Sequence, residues 1–249
     1  MKIQVPEHLT RHHGGGILIK DGRDQFSQVS EKFAETFELW GGLKSRDRVL
    51  DIGCGPGRMA IGIGERFGWT NDYIGFDINK ADIEFCNSVI TKQFPSFRFY
   101  YFDVENSHYN KKGLLSASTV KFPAEDHTID FVFATSVYTH LYNKDVAHYL
   151  KETARVCRGR SLSTWFIIDE KYEAGRKAGK ARFNFPHIAT DGTYIQDLEK
   201  TLDAVGHKIE LIEQMHRDAG LKITDIYPGE WTGQVKGRHS QDVIVSELA

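Results

Sequence analysis

The chain has 249 residues, 40% hydrophobic and 27% charged, enough for a buried core without staples and unlike the composition of disordered or fibrous proteins. A net charge of −2 and a pI near 6.6 argue against a broad nucleic-acid surface, so a small-molecule partner is expected. Cys54, Cys86 and Cys157 give neither a disulfide framework nor, with the histidines, a zinc-ligand spacing; no signal peptide or run of about 18 apolar residues occurs, so a cytoplasmic protein with no metal and no membrane span is expected.

In chain order, His12 and His13 precede a glycine run and read as a flexible terminus. Phe26, Val29, Phe33, Phe37 and Trp40 fall at helical spacing, and Gly41 with Gly42 ends that helix. Short apolar runs then alternate with amphipathic segments. Residues 48–52, 73–76, 97–102, 129–134 and 162–168 read as strands, and residues 59–67, 82–93 and 144–156 as helices. Strands apolar on both faces that alternate with helices imply a doubly wound, Rossmann-like α/β fold with a mostly parallel sheet. Ligands of such sheets bind beyond the carboxyl ends of the strands, where the strand order reverses. Residues 169–201 are polar, weakly periodic and long for a loop, which reads as a lid or substrate-binding insertion. A helix over 207–219, capped by Gly220, leads to strand-like residues 221–227 and 242–246, a closing hairpin. The whole reads as a single domain: a helical lead-in over 1–46, a cofactor-binding core over 47–168, the insertion over 169–205, and the closing helix and hairpin over 206–249.

The strongest local signal is Val49-Leu-Asp51-Ile-Gly53-Cys-Gly55-Pro-Gly57-Arg58, a strand running into a glycine turn and then a helix. Glycines let the backbone approach a ligand closely, and the helix offers free N–H groups at its positive end. Read from Gly53, a dinucleotide fingerprint fails at Arg58; read from Gly55, it is satisfied at Ala60, but two residues late for a strand ending at Ile52. The glycines alone leave both cofactor classes, and a structural turn, open. Asp77 follows Gly57 by twenty residues and ends the second strand, where a carboxylate can accept hydrogen bonds from two ribose hydroxyls. The alternative is a helix N-cap, which Asn79 would serve equally well. Asp103 repeats the placement after the third strand. Two acids at successive strand ends suit an adenosine better than a dinucleotide's second half.

With these residues the chain resembles the class I S-adenosylmethionine-dependent methyltransferases over about residues 25–168, and the closing hairpin agrees with that family's reversed last strand. The resemblance implies a seven-stranded sheet with an antiparallel last strand, helices on both faces, and S-adenosyl-L-methionine as cofactor. It implies that Asp51, Gly53, Gly55 and Gly57 border the cofactor's methionine end, with Ala134 and Ser136 lining it from the fourth strand. Asp77 with Ile78 would meet the ribose, and Asp103 with Val104 the adenine. A looser similarity reaches small methyltransferases found with sugar and polysaccharide biosynthesis. It is carried by Phe97-Arg-Phe-Tyr-Tyr-Phe-Asp103, Tyr109-Asn110, Phe133-Ala-Thr-Ser-Val-Tyr-Thr-His-Leu141, Phe185-Pro-His187 and Gln241-Asp242. It implies a small acceptor such as a sugar hydroxyl of a glycan or its precursor. Val156-Cys-Arg-Gly-Arg160 departs from the family pattern by lacking a Pro-Gly pair.

His140 follows the fourth strand at the ligand edge and titrates near neutrality, which makes it the candidate general base; packing against the next helix is the alternative. Tyr138 is expected to shape the pocket. Asp169, after the fifth strand, is the second candidate base, and Glu170 a candidate acceptor contact. His187, Trp231 and Gln241 are candidate walls for a sugar ring, with scaffold packing as the alternative. Lys171, Arg176, Lys177, Lys180 and Arg182 stand against Glu173 alone, a run suited to a phosphate or carboxylate on the acceptor or to a solvated loop. Two other functions compete. An NAD(P)-dependent oxidoreductase would want a Tyr-x-x-x-Lys pair, but Tyr142 stands where the lysine would follow Tyr138. A non-catalytic cofactor-binding protein would keep the same glycine turn and acids.

Overall fold

The computed structural model describes residues 3–10 and 25–249; His12, His13 and the glycine run beside them lie outside these residues. After α1 (Glu7–Thr10) and α2 (Gln25–Leu39) the chain alternates through β1 (Val49–Ile52), α3 (Arg58–Phe67), β2 (Tyr73–Asp77) and α4 (Lys80–Phe85). A π turn at Cys86–Ile90 continues α4 into α5 (Thr91–Gln93), followed by β3 (Phe97–Tyr101), β4 (Ile129–Ala134), α6 (Asn143–Val156) and β5 (Cys157–Trp165). Then come β6 (Ile167–Ile168), α7 (Glu170–Lys177), β7 (His187–Ile188), β8 (Tyr194–Ile195), β9 (Val205–Lys208), α8 (Ile209–Asp218), β10 (Leu221–Tyr227) and β11 (Asp242–Leu248).

The seven-stranded sheet has the order β10-β11-β5-β4-β1-β2-β3. Its pairs are parallel except those of β11, which runs antiparallel to both β5 and β10. Successive strand residues serve opposite faces. Val49, Phe131, Phe133, Val243 and Val245 join a core with Phe26, Phe33 and Phe37 of α2 and Met59 and Ile63 of α3. Leu50, Val132, Ala134 and Ile244 join a second core with Tyr149 and Leu150 of α6 and Ile212 and Met215 of α8. A strand's period of two thus feeds two layers of helices. The order reverses between β1 and β4, which puts a crevice at the carboxyl ends of the central strands.

Three expectations change. The fifth strand starts at Cys157, because the charged residues of its first half pair at the rim, Arg158 with Asp130 and Arg160 with Glu247. It ends at Trp165, opposite Asp242, whose Oδ2 accepts the Ile167 N–H at 2.9 Å and draws the chain off the sheet. Residues 169–201 are not aperiodic: α7 and the two-residue strands β7 and β8 lie within them, and β6-β9-β8-β7 form a separate four-stranded sheet. Elements this short carry too few apolar positions to show a period. Phe166, Tyr172, Phe185 and Trp231 close over this sheet as their own small core. The helix expected from residue 207 begins at Ile209, because His207 is buried in β9, with Nδ1 2.6 Å from Asn143 Oδ1 and Nε2 2.8 Å from the Tyr138 carbonyl.

Candidate active site

A cavity of about 770 Å³ opens at the carboxyl ends of β1, β2 and β4. Its floor is the glycine turn. Gly53, Gly55 and Gly57 all hold positive φ. A Cβ on Gly53 would stand 2.5 Å from Val137 Cγ2 and one on Gly57 2.2 Å from Ile90 Cδ1, so both space and backbone conformation demand glycine there. Gly57 is the N-cap of α3 and sends it off with no side-chain cap; Gly53, Gly55 and Arg58 lie on the cavity wall.

Asp77 organises this turn. Its Oδ2 accepts the Gly55 N–H at 2.7 Å and its Oδ1 the Asn79 N–H at 2.8 Å, while Asn79 caps α4. The N-cap reading therefore belongs to Asn79, and Asp77 faces the cavity with Ile78 beside it. Asp51 does not reach the wall. It is fully buried within β1, where Oδ2 accepts the Tyr73 hydroxyl and Oδ1 has no hydrogen-bond partner. Burial pushes its carboxyl up to about 7, against the hydrogen bond from Tyr73 and the charge of Arg58, which lower it.

After β3 the wall is built by Val104, Glu105, Asn106, His108 and Tyr109. Asp103 is turned from it: its Oδ1 accepts Tyr101 Oη at 2.8 Å and Asn110 Nδ2 at 3.0 Å. Asn106 ties the segment down. Its Oδ1 accepts the N–H groups of His108 and Tyr109, and its Nδ2 donates to the His140 carbonyl at 3.2 Å.

After β4, Thr135, Ser136, Val137 and His140 face the cavity, whereas Ala134 is buried in the sheet. Ser136 holds a positive φ of 57°, uncommon for a residue with a Cβ. Its N–H donates to Thr164 Oγ1 at 2.7 Å and its hydroxyl to Gln241 Oε1 at 3.0 Å, which brings the predicted Gln241 to the wall. Tyr138 is a core residue, 1% exposed, packed on Trp165 and held away from the cavity. His140 stands half-buried with Nδ1 3.0 Å from the Leu202 carbonyl, edge-on to Tyr109. Burial lowers its pKa, with the Leu202 carbonyl acting in the opposite sense.

The insertion's predicted residues mostly serve the scaffold. Asp169 is the N-cap of α7: its Oδ1 accepts the Tyr172 N–H at 2.9 Å and its Oδ2 meets Lys171 Nζ at 3.3 Å. Glu170 is exposed on the first turn and His187 lies in β7; neither lines the cavity. Trp231 is buried against Tyr172 with Nε1 donating to Asp242 Oδ2 at 2.7 Å, so it offers no face to a sugar. Of the basic run, Lys171 and Arg176 pair with Asp169 and Glu173, and Arg182 alone reaches the wall. Asp169→Ala is accordingly expected to cost about 1 kcal/mol of stability as a lost cap, read by urea unfolding, with turnover unchanged.

Sequence reasoning missed Arg58, Glu105, Asn106, His108 and Tyr109 on the wall, and named Arg182 only as one member of the basic run. The strand-end rule that located Asp103, extended by a few residues, finds the segment after β3. No spacing signal marks Arg182, which arrives through the insertion's own fold.

Residues 49–160 match the family described as a methyltransferase domain. An uncharacterized methyltransferase of Schizosaccharomyces pombe is 24% identical over 53% of this chain and 46% of its own length. The 27-O-demethylrifamycin SV methyltransferase of Amycolatopsis mediterranei is 30% identical over 47% of this chain and 36% of its own. The chain thus spans less than half the length of these curated relatives. Among solved structures, magnesium protoporphyrin IX methyltransferase of Synechocystis, with bound S-adenosylhomocysteine, shares the fold at a TM-score of 0.58 and 14% identity, covering 96% of this chain and 92% of that one. The strand order and the glycine turn agree with the matched domain: residues 49–160 are a methyltransferase domain, carried on the fold that the solved S-adenosylmethionine-dependent methyltransferases share.

Proposed function

We propose that this protein methylates a hydroxyl of a small acceptor, with His140 as general base. The observation that carries the base assignment is the contact between His140 Nδ1 and the Leu202 carbonyl. A carbonyl only accepts, so Nδ1 carries the ring proton and Nε2 keeps its lone pair, on a residue that lines the cavity. That nitrogen can take the proton an acceptor hydroxyl loses as its oxygen is methylated. The Amycolatopsis relative, named for 27-O-demethylrifamycin SV, supports an oxygen acceptor. A sugar hydroxyl is the first class to test, on the looser sequence similarity; the three unpaired cysteines suit a reducing, cytoplasmic setting. No described helix is long and apolar enough to cross a membrane.

The residues present fit an adenosyl cofactor. The glycine turn lays the backbone of Gly53 and Gly55 along the wall with no side chain between it and a ligand, and the cavity volume is that of a cofactor pocket. A carboxylate offers about four lone-pair sites, more than the Gly55 and Asn79 donors use, so Asp77 can still accept ribose hydroxyls. Ile78 and Val104 would hold the flat base, and Arg58 with the glycine turn the amino-acid end. S-adenosylmethionine, when bound, supplies a methyl group activated on a sulfonium. Holding it against the acceptor hydroxyl is itself worth roughly 7–11 kcal/mol in favourable cases. The insertion would shape the acceptor side, since Leu202 and Arg182 are its contributions to the site.

Calorimetric titration with S-adenosylhomocysteine and NADH in parallel tests the reading. Binding of the sulfur compound is expected; binding of NADH alone would favour an oxidoreductase. Because burial favours the neutral ring of His140, the acid limb of kcat is expected below the ordinary imidazole value of about 6.5. The ring stays a base as pH falls past that value and is lost only lower; a limb above it on hydroxylated acceptors would count against His140.

A further inference from the structure

The cavity wall is divided by charge. Asp77 stands at the end of β2, Glu105 in the segment after β3, and Arg58 at the glycine turn. On the far side, past β4, the wall is Ser136, His140, Gln241 and Arg182, with no carboxylate among them. Arg182 is exposed there and forms no ion pair among the described residues, whereas Arg155, Arg158, Arg176 and Arg238 each meet an acid. Its position is nevertheless fixed. The Arg182 N–H donates to the Trp231 carbonyl at 2.7 Å, and the guanidinium lies 5.4 Å from the Phe183 ring centroid with Nη1 3.5 Å from Ser240 Oγ. Ser240 adjoins Gln241, whose amide is held by the Ser136 hydroxyl. One cation and one amide therefore share a lip, carried by segments that meet at the buried Trp231.

We propose that Arg182, with Gln241 beside it, is an anion subsite that binds a carboxylate or phosphate of the acceptor and directs the acceptor's hydroxyl toward His140. The proposal rests on the methyltransferase reading and narrows its acceptor to anionic small molecules, such as phosphorylated or acidic sugars. A guanidinium suits planar, two-point binding of such oxygens. The acids at β2 and β3 would repel the same group, so only one orientation of the acceptor keeps its charge at Arg182. The wider basic run takes no part, because Arg176 is engaged by Glu173.

The test uses the full chain with S-adenosylhomocysteine. Inorganic phosphate is titrated into the saturated protein while the arginine Nε–H signals are followed by nuclear magnetic resonance, with Arg182→Ala identifying its own signal. A saturable shift of that signal is expected, with phosphate binding weakened at least about tenfold by Arg182→Ala, less by Arg182→Lys, and unchanged by Arg176→Ala. Equal weakening by Arg176→Ala, or none by Arg182→Ala, would overturn the subsite. A carboxylate of the cofactor is the other possible source of the anion. If Arg182→Ala weakened S-adenosylhomocysteine binding but spared methylthioadenosine, which lacks that carboxylate, Arg182 would serve the cofactor and the proposal would fall. Failure of the family reading looks different: neither sulfur compound would bind the wild type.

Discussion

Replacing His140 with alanine is expected to lower kcat by about 10²–10⁴-fold, the contribution of a positioned general base, while S-adenosylhomocysteine affinity changes little. The separation follows from the geometry. His140 hangs on the turn after β4, tied by its Nδ1 to Leu202 and by its carbonyl to Asn106, whereas the glycine turn and Asp77, which would hold the cofactor, lie at the ends of β1 and β2. Residual turnover should survive, because approximation of donor and acceptor needs no base. Asp169 cannot stand in, its carboxylate being committed to the start of α7. Wild-type turnover in the alanine variant, measured by S-adenosylhomocysteine release, would leave the site with orientation alone as its means of catalysis.

The second large effect is at Asp77. Its carboxylate accepts two backbone N–H groups, and hydrogen bonds to a charged group are worth about 1.5–3 kcal/mol each. Asp77→Ala removes both and, with them, the acceptor for a ribose. S-adenosylhomocysteine affinity is expected to fall by on the order of 10- to 100-fold, converting one such bond at about 1.4 kcal/mol per decade. Asp77→Asn keeps one carbonyl oxygen and should fall between. Calorimetry beside a thermal melt separates lost affinity from a loosened turn; unchanged affinity in Asp77→Ala would reject its ribose role.

The central strands were legible because they are buried on both faces, so their apolar runs are continuous and their ends sharp. Asp77 was legible for the same reason: it is the polar residue that ends such a run, twenty residues after Gly57, and it faces the cavity. Asp103 obeys the same rule and still faces elsewhere, since strand-end placement says nothing of which neighbour, here Tyr101 and Asn110, takes the side chain. Tyr138 and Trp231 were misplaced through their chemistry. A phenol or indole beside a site suggests contact with a ligand, but each is large enough that burial dominates: Tyr138 packs on Trp165, and Trp231 finds its polar partner inside, in Asp242. Asp169 shows the opposite error, a short acid after a strand that opens a helix no hydrophobic period announces. Arg182 could not be told from its basic neighbours by spacing, because its place depends on Trp231, nearly fifty residues away, whose carbonyl takes its N–H.

The chain quits the large sheet after Trp165 and resumes it, through α8 and β10, with the pairing of β5 to β11 left whole and Asp242 acting as the rivet at the exit. A segment bounded in this way is exchangeable. Replacing residues 166–208 by the equivalent stretch of a relative, with Trp231 and Asn143 matched to the new segment, is expected to leave the large sheet's ladder, its helices and the glycine turn in place. Chimeras cut at those two points should therefore inherit their appetite for one alcohol or another from the donor of the segment, and their grip on adenosine from the recipient.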